Sequence, residues 1–256
     1  MAGYTDFAFY YDALTQNAGY AARCDMICNL LAEQGVGEGI LLDLACGTGS
    51  LSAMLAKRGY DVIGVDASEE MLSQAQTKKM EEGFDAIFLC QRMENLDLFG
   101  TIDAAVCTLD SLNHLESAAA FRKALRRVAL FMNDQGVFIF DVNTPYKHRK
   151  VLADNTFVYD LDDVFCVWQN SFFEEDCRVD VTLDLFAAVD DADGYVRSTE
   201  SFSERAFDLK EIQQWLADVR FETVGLFDEN GGPLREDTQR AVFVCKKHGT
   251  QFIEGD

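Results

Sequence analysis

The chain has 256 residues, 48% of them hydrophobic, enough for one large domain or for one domain carrying a sizeable insertion. A formal charge of −22 repels duplex or folded RNA, whose binding depends on Lys and Arg neutralising phosphates, so a nucleic-acid partner is unlikely on this count. No apolar run reaches the ~18 residues needed to cross a bilayer. The first residues, MAGYTDFAFYYD, lack the basic start and long apolar stretch of a secretory signal, and a cytoplasmic protein is expected. The eight cysteines form no CxxC pair, and Cys90, Cys107 and Cys245 sit inside apolar runs as small hydrophobes do in a reducing compartment; no metal site is expected.

Along residues 1–35 the spacing predicts helices. Phe7, Tyr10, Tyr11 and Leu14 recur at helical intervals, and a second helix, Tyr20–Gln34, ends at Gly35. Strands and helices then alternate. A strand Ile40–Leu44 is followed by a helix Gly49–Arg58 stopped at Gly59, then a strand Asp61–Asp66 and a helix Ser68–Glu82 stopped at Gly83. Strands at Ala86–Cys90 and Ile102–Leu109, a helix Ser117–Met132 and a fifth strand Gly136–Val142 complete the run. Short apolar strands separated by helices predict an α/β fold: a doubly wound, Rossmann-like parallel sheet covered on both faces. Arg122, Lys123, Arg126 and Arg127 cluster on the Ser117 helix and read as a solvated face, not a nucleic-acid patch.

The rhythm changes after Asn143. Runs such as Val164–Trp168 and Val179–Phe186 alternate or nearly alternate, with turn-rich acidic stretches between them. They predict a small antiparallel sheet of three or four strands, inserted into the α/β domain. A helix Asp208–Val219 and strands Phe221–Asp228 and Arg240–Lys246 resume the first pattern, with the last strand expected to return as an antiparallel edge. The expected organisation is a Rossmann-like domain of residues 1–142 and 208–256, with residues 1–35 as a helical cap. Residues 143–207 are expected to form the inserted antiparallel β subdomain.

The most informative segment is LLDLACGTGSLS, residues 41–52. An apolar strand runs through Asp43 into small residues at Ala45, Gly47 and Gly49 and then into a helix, so a ligand can approach the backbone. No GxxxxGK[ST] is present, and the final glycine of a dinucleotide-binding GxGxxG is missing. Asp66 closes the second strand, where a carboxylate can accept from both hydroxyls of an adenosine ribose.

With LDLACGTGSLS and GVDASEEML at this spacing, the chain resembles the class I S-adenosylmethionine-dependent methyltransferases along nearly its whole length. FAFYYDAL, DSLNHL and the inserted strands resemble a narrower subgroup that includes YqeM-like proteins, glycine N-methyltransferase and sugar-amine N-methyltransferases. The resemblance implies a seven-stranded sheet with S-adenosylmethionine as cofactor, an N-terminal helix folded over it, and residues 143–207 as a lid that selects the substrate. Asp43, Ala45 (in the first glycine position), Gly47 and Gly49 form the cofactor loop. Asp66 is the ribose acid, Ala67 and Met71 lie beside the adenosine, Tyr11 lies against the methionine part, and Met93 and Leu109 complete the set. One position departs from the pattern: Arg92 stands where relatives carry the acid that holds the adenine amine. Arg cannot accept that hydrogen bond, which leaves backbone groups, Gln91 or stacking by Met93.

Methyl transfer is an in-line displacement in which the cofactor brings the electrophile, so the protein has to place the nucleophile and exclude water. The C-terminal strand ends bring together Asp43–Gly49, Asp66, Thr108–His114 and Asp141–Thr144. His114 is the candidate acceptor-side base, and Asp110 and Asn113 are candidates to bind the acceptor or hold its loop. His148 and His248, in polar surroundings, read as solvated. Of the insert's aromatics Tyr159, Phe165, Trp168 and Phe172, most are expected in the core and one or two facing the pocket. The expected reaction methylates a nitrogen or oxygen of a small polar molecule, in a monomer or homodimer. An RNA- or ribosome-associated methyltransferase and a non-catalytic cofactor-binding module are the alternatives.

Overall fold

The computed structural model describes residues 5–15, 19–188 and 194–249. Helices α1 (Thr5–Leu14) and α2 (Tyr20–Glu33) lead into β1 (Gly39–Leu44), α3 (Ser50–Lys57), β2 (Tyr60–Asp66), α4 (Glu69–Glu82), β3 (Ala86–Cys90) and β4 (Ile102–Cys107). Then follow α5 (Ala118–Phe131), β5 (Met132–Asn143) and a single turn, α6 (Pro145–Lys147). Four strands come next: β6 (Thr156–Asp160), β7 (Val164–Phe173), β8 (Arg178–Ala188) and β9 (Tyr195–Arg205). The chain ends in α7 (Leu209–Asp218), β10 (Phe221–Asp228) and β11 (Arg240–Lys247).

Seven strands form one sheet in the order β10-β11-β5-β4-β1-β2-β3, and the other four form a separate antiparallel meander, β6-β7-β8-β9. In β1, alternate side chains serve opposite faces, as both-sided burial requires. Leu42 and Leu44 join Phe121, Leu125 and Leu216 beneath α5 and α7, whereas Leu41 joins Ile27, Leu31, Leu51 and Leu55 beneath α2 and α3. The strand order reverses at β1, which has β2 on one side and β4 on the other, both parallel to it. Beyond the carboxyl ends of these two strands the crossovers diverge and leave a crevice.

The last strand is antiparallel to both neighbours but does not lie at the edge. β11 sits between β5 and β10, with Ala241–Cys245 buried on both faces, and the more alternating β10 takes the edge. Two further boundaries differ from the sequence expectation. Gly49, with φ 74°, caps α3 without joining it. The fourth strand stops at Cys107, because Leu109 and Asp110 both turn left-handed (φ 56° and 54°).

In the meander, Val179, Val181, Leu183 and Leu185 of β8 point inward, while Asp180 and Asp184 pair outward with Arg178 and Arg197. The inward face packs on α1 through Phe7 and Ala8, and on Met71 of α4. Helix α1 therefore shares its core with the inserted sheet, whereas α2 packs on the main sheet. The basic side chains of α5 are tied down locally: Arg122 faces Asp218, Lys123 donates to Asn95, and Arg127 donates to the Leu96 carbonyl and faces Asp97.

Candidate active site

The crevice has two ends, built differently. At one end the backbone does most of the shaping. The turn after β1 places Ala45, Gly47 and Gly49 at positive φ (60°, 54° and 74°). A Cβ on Gly49 would meet Ala75 at 3.0 Å and Phe88 at 3.2 Å, so α3 and α4 can approach only over a glycine. A Cβ on Gly47 would meet nothing within 4 Å, because this part of the turn borders the crevice. Behind the turn, buried Asp43 accepts from Ser52 Oγ at 2.5 Å and ties β1 to α3. Burial outweighs that bond and pushes the Asp43 carboxyl up to about 6. Asp66 faces the turn, accepting from the N–H groups of Gly47 and Ser68, each at 2.9 Å. Burial raises its pKa, and the two amides oppose the rise.

Helix α1 closes this end. Asp12 accepts from Thr48 Oγ1 at 2.6 Å, Ser50 Oγ at 3.2 Å and Lys78 Nζ at 2.6 Å, latching the helix to the turn and to α4. Tyr11 and Tyr20 then cover a cavity of about 20 Å³ bordered by Asp43, Gly47, Thr108 and Leu109. That is room for one water. A nucleoside is larger than this cavity.

At the other end, side chains from distant elements meet. Asp141, at the end of β5, accepts from the N–H of Leu109 at 3.0 Å and of Asp110 at 2.7 Å, holding two left-handed residues whose conformation costs on the order of 1–2 kcal/mol each. Arg23 and Arg240 flank Asp141, and Arg240 also donates to Asp110 Oδ1 at 2.6 Å. Burial works against charge on Asp110, but Arg240, aided by Lys147 and His114, outweighs it and holds this carboxyl well below the usual range. Asn143 bridges the cluster, donating to Asp110 Oδ2 at 2.7 Å and Glu204 Oε2 at 3.1 Å while accepting from Lys147 Nζ at 2.9 Å. His114 Nε2 lies 3.9 Å from Glu204 Oε1, and the His114 ring packs on Phe202 at 5.0 Å. That contact continues a row of rings through Trp168 to Tyr159 across the inserted sheet.

The two ends adjoin. Tyr11 feels the charges of both Asp66 and Asp110, and His114 acts electrostatically on Asp66. Asp110, His114 and Glu204 each bring one ligating atom within 4.8 Å of the others. Arg240 and Lys147 already neutralise that set, which disfavours a divalent ion there.

Several expected site residues also make structural contacts. Asn113 is buried, its amide donating to the carbonyls of Asn143 and Arg205 and accepting from the Asn143 N–H, so it fastens the 111–114 turn to β5 and β9. Met71 is buried in the core shared by α1 and the inserted sheet, and Met93 packs against the main core. Ala67 is exposed beside Asp66. Gln91 spends its amide on the backbone of Asp97, and Arg92 pairs with Glu94 at 2.9 Å. His148 is not solvated: it is fully buried, with Nδ1 3.0 Å from the Cys177 carbonyl. The Thr144-capped turn rolls His148 inward while Arg149 stays outside, a reversal its polar neighbours hide. His248 is half exposed, against Glu222.

Glu204 was not anticipated. The signal lay in Glu200-Ser-Phe-Ser-Glu204, where alternation puts two acids and Phe202 on one face of β9. Acids on the inward face of a strand need partners to be buried there.

Residues 41–136 match the family described as "Methyltransferase domain". The chain is 32% identical to an S-adenosylmethionine-dependent methyltransferase of known crystal structure from Clostridium acetobutylicum ATCC 824, with a TM-score of 0.86 over 96% of this chain and 99% of that one. It is 35% identical over 220 residues to YqeM of Bacillus subtilis (strain 168), covering 86% of each. A glycine/sarcosine N-methyltransferase of Parasynechococcus marenigrum (strain WH8102) is 32% identical over 139 residues, 53% of this chain and 49% of the relative. The chain belongs to the class I S-adenosylmethionine-dependent methyltransferases. It is an enzyme, and its cofactor is S-adenosylmethionine.

The crevice suits that cofactor by its own chemistry. A glycine turn bare of side chains and an acid at the end of β2 match a ligand carrying a ribose and a charged amino-acid tail.

Proposed function

We propose that the protein transfers the cofactor's methyl group to a nitrogen or oxygen of a small polar molecule bound beside Asp110, His114 and Glu204. The observation that carries this reading is the junction of the two ends: Tyr11 borders the space beside Asp43, Gly47 and Leu109 and feels the charges of both Asp66 and Asp110. Asp66 would hold the ribose, and the turn from Ala45 to Gly49 would take the amino-acid tail. Tyr11 and Leu109 would border the same space, with Met93 left to stack on the adenine, since Gln91 is spent on Asp97. When bound, the cofactor supplies a methyl group on a sulfonium.

The chain's own part is positional. Asp141 and Arg240 fix the 109–114 segment, α1 and the inserted sheet exclude water, and His114 faces the acceptor. The glycine/sarcosine N-methyltransferase relative supports a small acceptor. The charge of −22, with the α5 basic side chains engaged at Asp218, Asn95 and Asp97, weighs against RNA. Residues 143–207 act in this reading as the substrate lid. Free thiols at all eight cysteines, and no helix long and apolar enough to cross a membrane among the described residues, support a place in the cytoplasm.

The test is a methyl-transfer screen following cofactor turnover with pools of amines, phenols and RNA. Turnover with an amine or phenol pool is expected. Turnover with RNA alone, or tight cofactor binding with no turnover in any pool, would overturn the reading.

A further inference from the structure

The cluster contains an arrangement that methyl transfer as derived above leaves unused. His148 lies 3.7 Å from Glu204 through Nε2, which is buried and has no hydrogen-bond partner among the described residues. Its Nδ1 faces the Cys177 carbonyl, an acceptor, so the proton of the neutral ring sits on Nδ1 and Nε2 carries a lone pair. Opposite that lone pair is Glu204 Oε2, also an acceptor when the carboxyl is ionised. Two buried acceptors thus face each other with no donor between them, which is unfavourable until one of them takes up a proton.

The other oxygen, Oε1, faces His114, whose side chain is 33% exposed and reaches the solvent side. Other charged groups nearby are Asp110, Lys147, and Arg240 acting through Asp110. Burial, reinforced by the charge of Asp110, pushes the Glu204 carboxyl up, and burial pushes His148 down to about 4, so of the two Glu204 is the better acceptor for a proton brought to the pair.

We propose that Glu204, backed by His148, is the base that deprotonates a protonated amine acceptor, and that the enzyme therefore selects ammonium-bearing acceptors over phenols. The proposal rests on the reading of the Asp110–His114–Glu204 cluster as the acceptor site. An N–H bond of the acceptor breaks, its electron pair stays on nitrogen, and an O–H bond forms on Glu204. A half-turn of the carboxyl group then gives His148 Nε2 the donor it lacks. The nitrogen lone pair bonds to the methyl carbon, and the electrons of the broken carbon–sulfur bond remain on sulfur. The product is a methylated ammonium, and the one proton left over passes from Glu204 to His114 and to solvent. The two acids of the cluster, Asp110 and Glu204, favour an arriving cation, whereas a phenolate there would meet like charge.

The experiment has two arms. In the first, infrared difference spectra recorded on adding a primary alkylamine to wild type and to E204Q at neutral pH look for the carbonyl stretch of a newly protonated carboxylic acid. The band is expected to appear with the amine in wild type and to be missing in E204Q; no amine-induced band in wild type overturns Glu204 as the base. In the second arm, wild type and E204Q are given a pool of primary alkylamines, protonated at neutral pH, and a pool of O-alkyl hydroxylamines, which are neutral there. E204Q is expected to lose at least about 100-fold on the alkylamines and at least about tenfold less than that on the hydroxylamines. Equal loss on both pools reduces Glu204 to a structural part and overturns its role as base. Wild-type transfer to phenols but to neither amine pool overturns the proposal and leaves the acceptor site standing. No transfer to any pool overturns the acceptor site itself.

Discussion

The two ends of the crevice contrast in how they are built. The cofactor end comes largely from one short stretch, Asp43 to Asp66, and works through backbone conformation: three residues at positive φ, an open face at Gly47, and amides turned toward a carboxylate. The acceptor end is assembled from Asp110, His114, Asn143, Lys147, His148, Glu204 and Arg240, and it works through side-chain charge balanced in a buried space. A backbone site tolerates change in whatever lies around it. A balanced charge cluster depends on every member, so substitutions at the two ends should fail differently.

The largest effect is expected at Arg240. R240M leaves Asp110 and Asp141 buried with less compensation, at a cost of about 3–5 kcal/mol in folding stability by denaturant titration. A change below about 1 kcal/mol would mean that the cluster is not a balanced unit.

At the cofactor end, D66A should leave the fold intact and weaken binding of S-adenosylhomocysteine. Loss of charge-assisted bonds worth about 1.5–3 kcal/mol corresponds to a roughly ten- to hundredfold higher Kd.

Asp43 separates the ends by pH. Its carboxyl titrates near 6 in the fold, above the ordinary Asp value, so the native state holds a proton that the unfolded chain has released. Its contribution is therefore favourable at acid pH and is lost as pH rises through that window. D43N, whose amide oxygen still accepts from Ser52, should gain stability relative to wild type as pH is raised toward neutrality. A difference that is flat with pH would place the Asp43 carboxyl in an ordinary range.

The smallest effect is expected at the latch. D12A removes a partly exposed ion pair with Lys78 and the bonds to Thr48 and Ser50, so cofactor dissociation followed by stopped flow should speed up a few-fold. No change would mean that α1 is held by its core contacts alone.

The same contrast explains what could be read from the residues alone. The glycine turn, Asp66 and the alternation of strands and helices are local patterns, and they pointed to the seven-stranded sheet and its cofactor. In Val179–Phe186, period-two alternation also marked the inserted sheet. The acceptor cluster was only half visible. Asp110 and His114 sit in one short segment at a strand end, but Glu204 comes from a strand ninety or more positions further along the chain. His148, between Lys147 and Arg149, carries the local signature of a surface residue and is buried only because a capped turn rolls it under Cys177. Met71 was legible only through the resemblance of GVDASEEML; that it also belongs to the core shared by α1 and the inserted sheet depends on segments distant in the chain.

The division of labour between the two ends is tested most directly by calorimetry of S-adenosylhomocysteine binding to wild type, D66A and H114A, alongside their methyl-transfer rates. The account predicts that D66A loses affinity, while H114A keeps wild-type affinity and loses transfer by at least about tenfold. Equal loss of affinity in both variants, or full transfer by H114A, would contradict it.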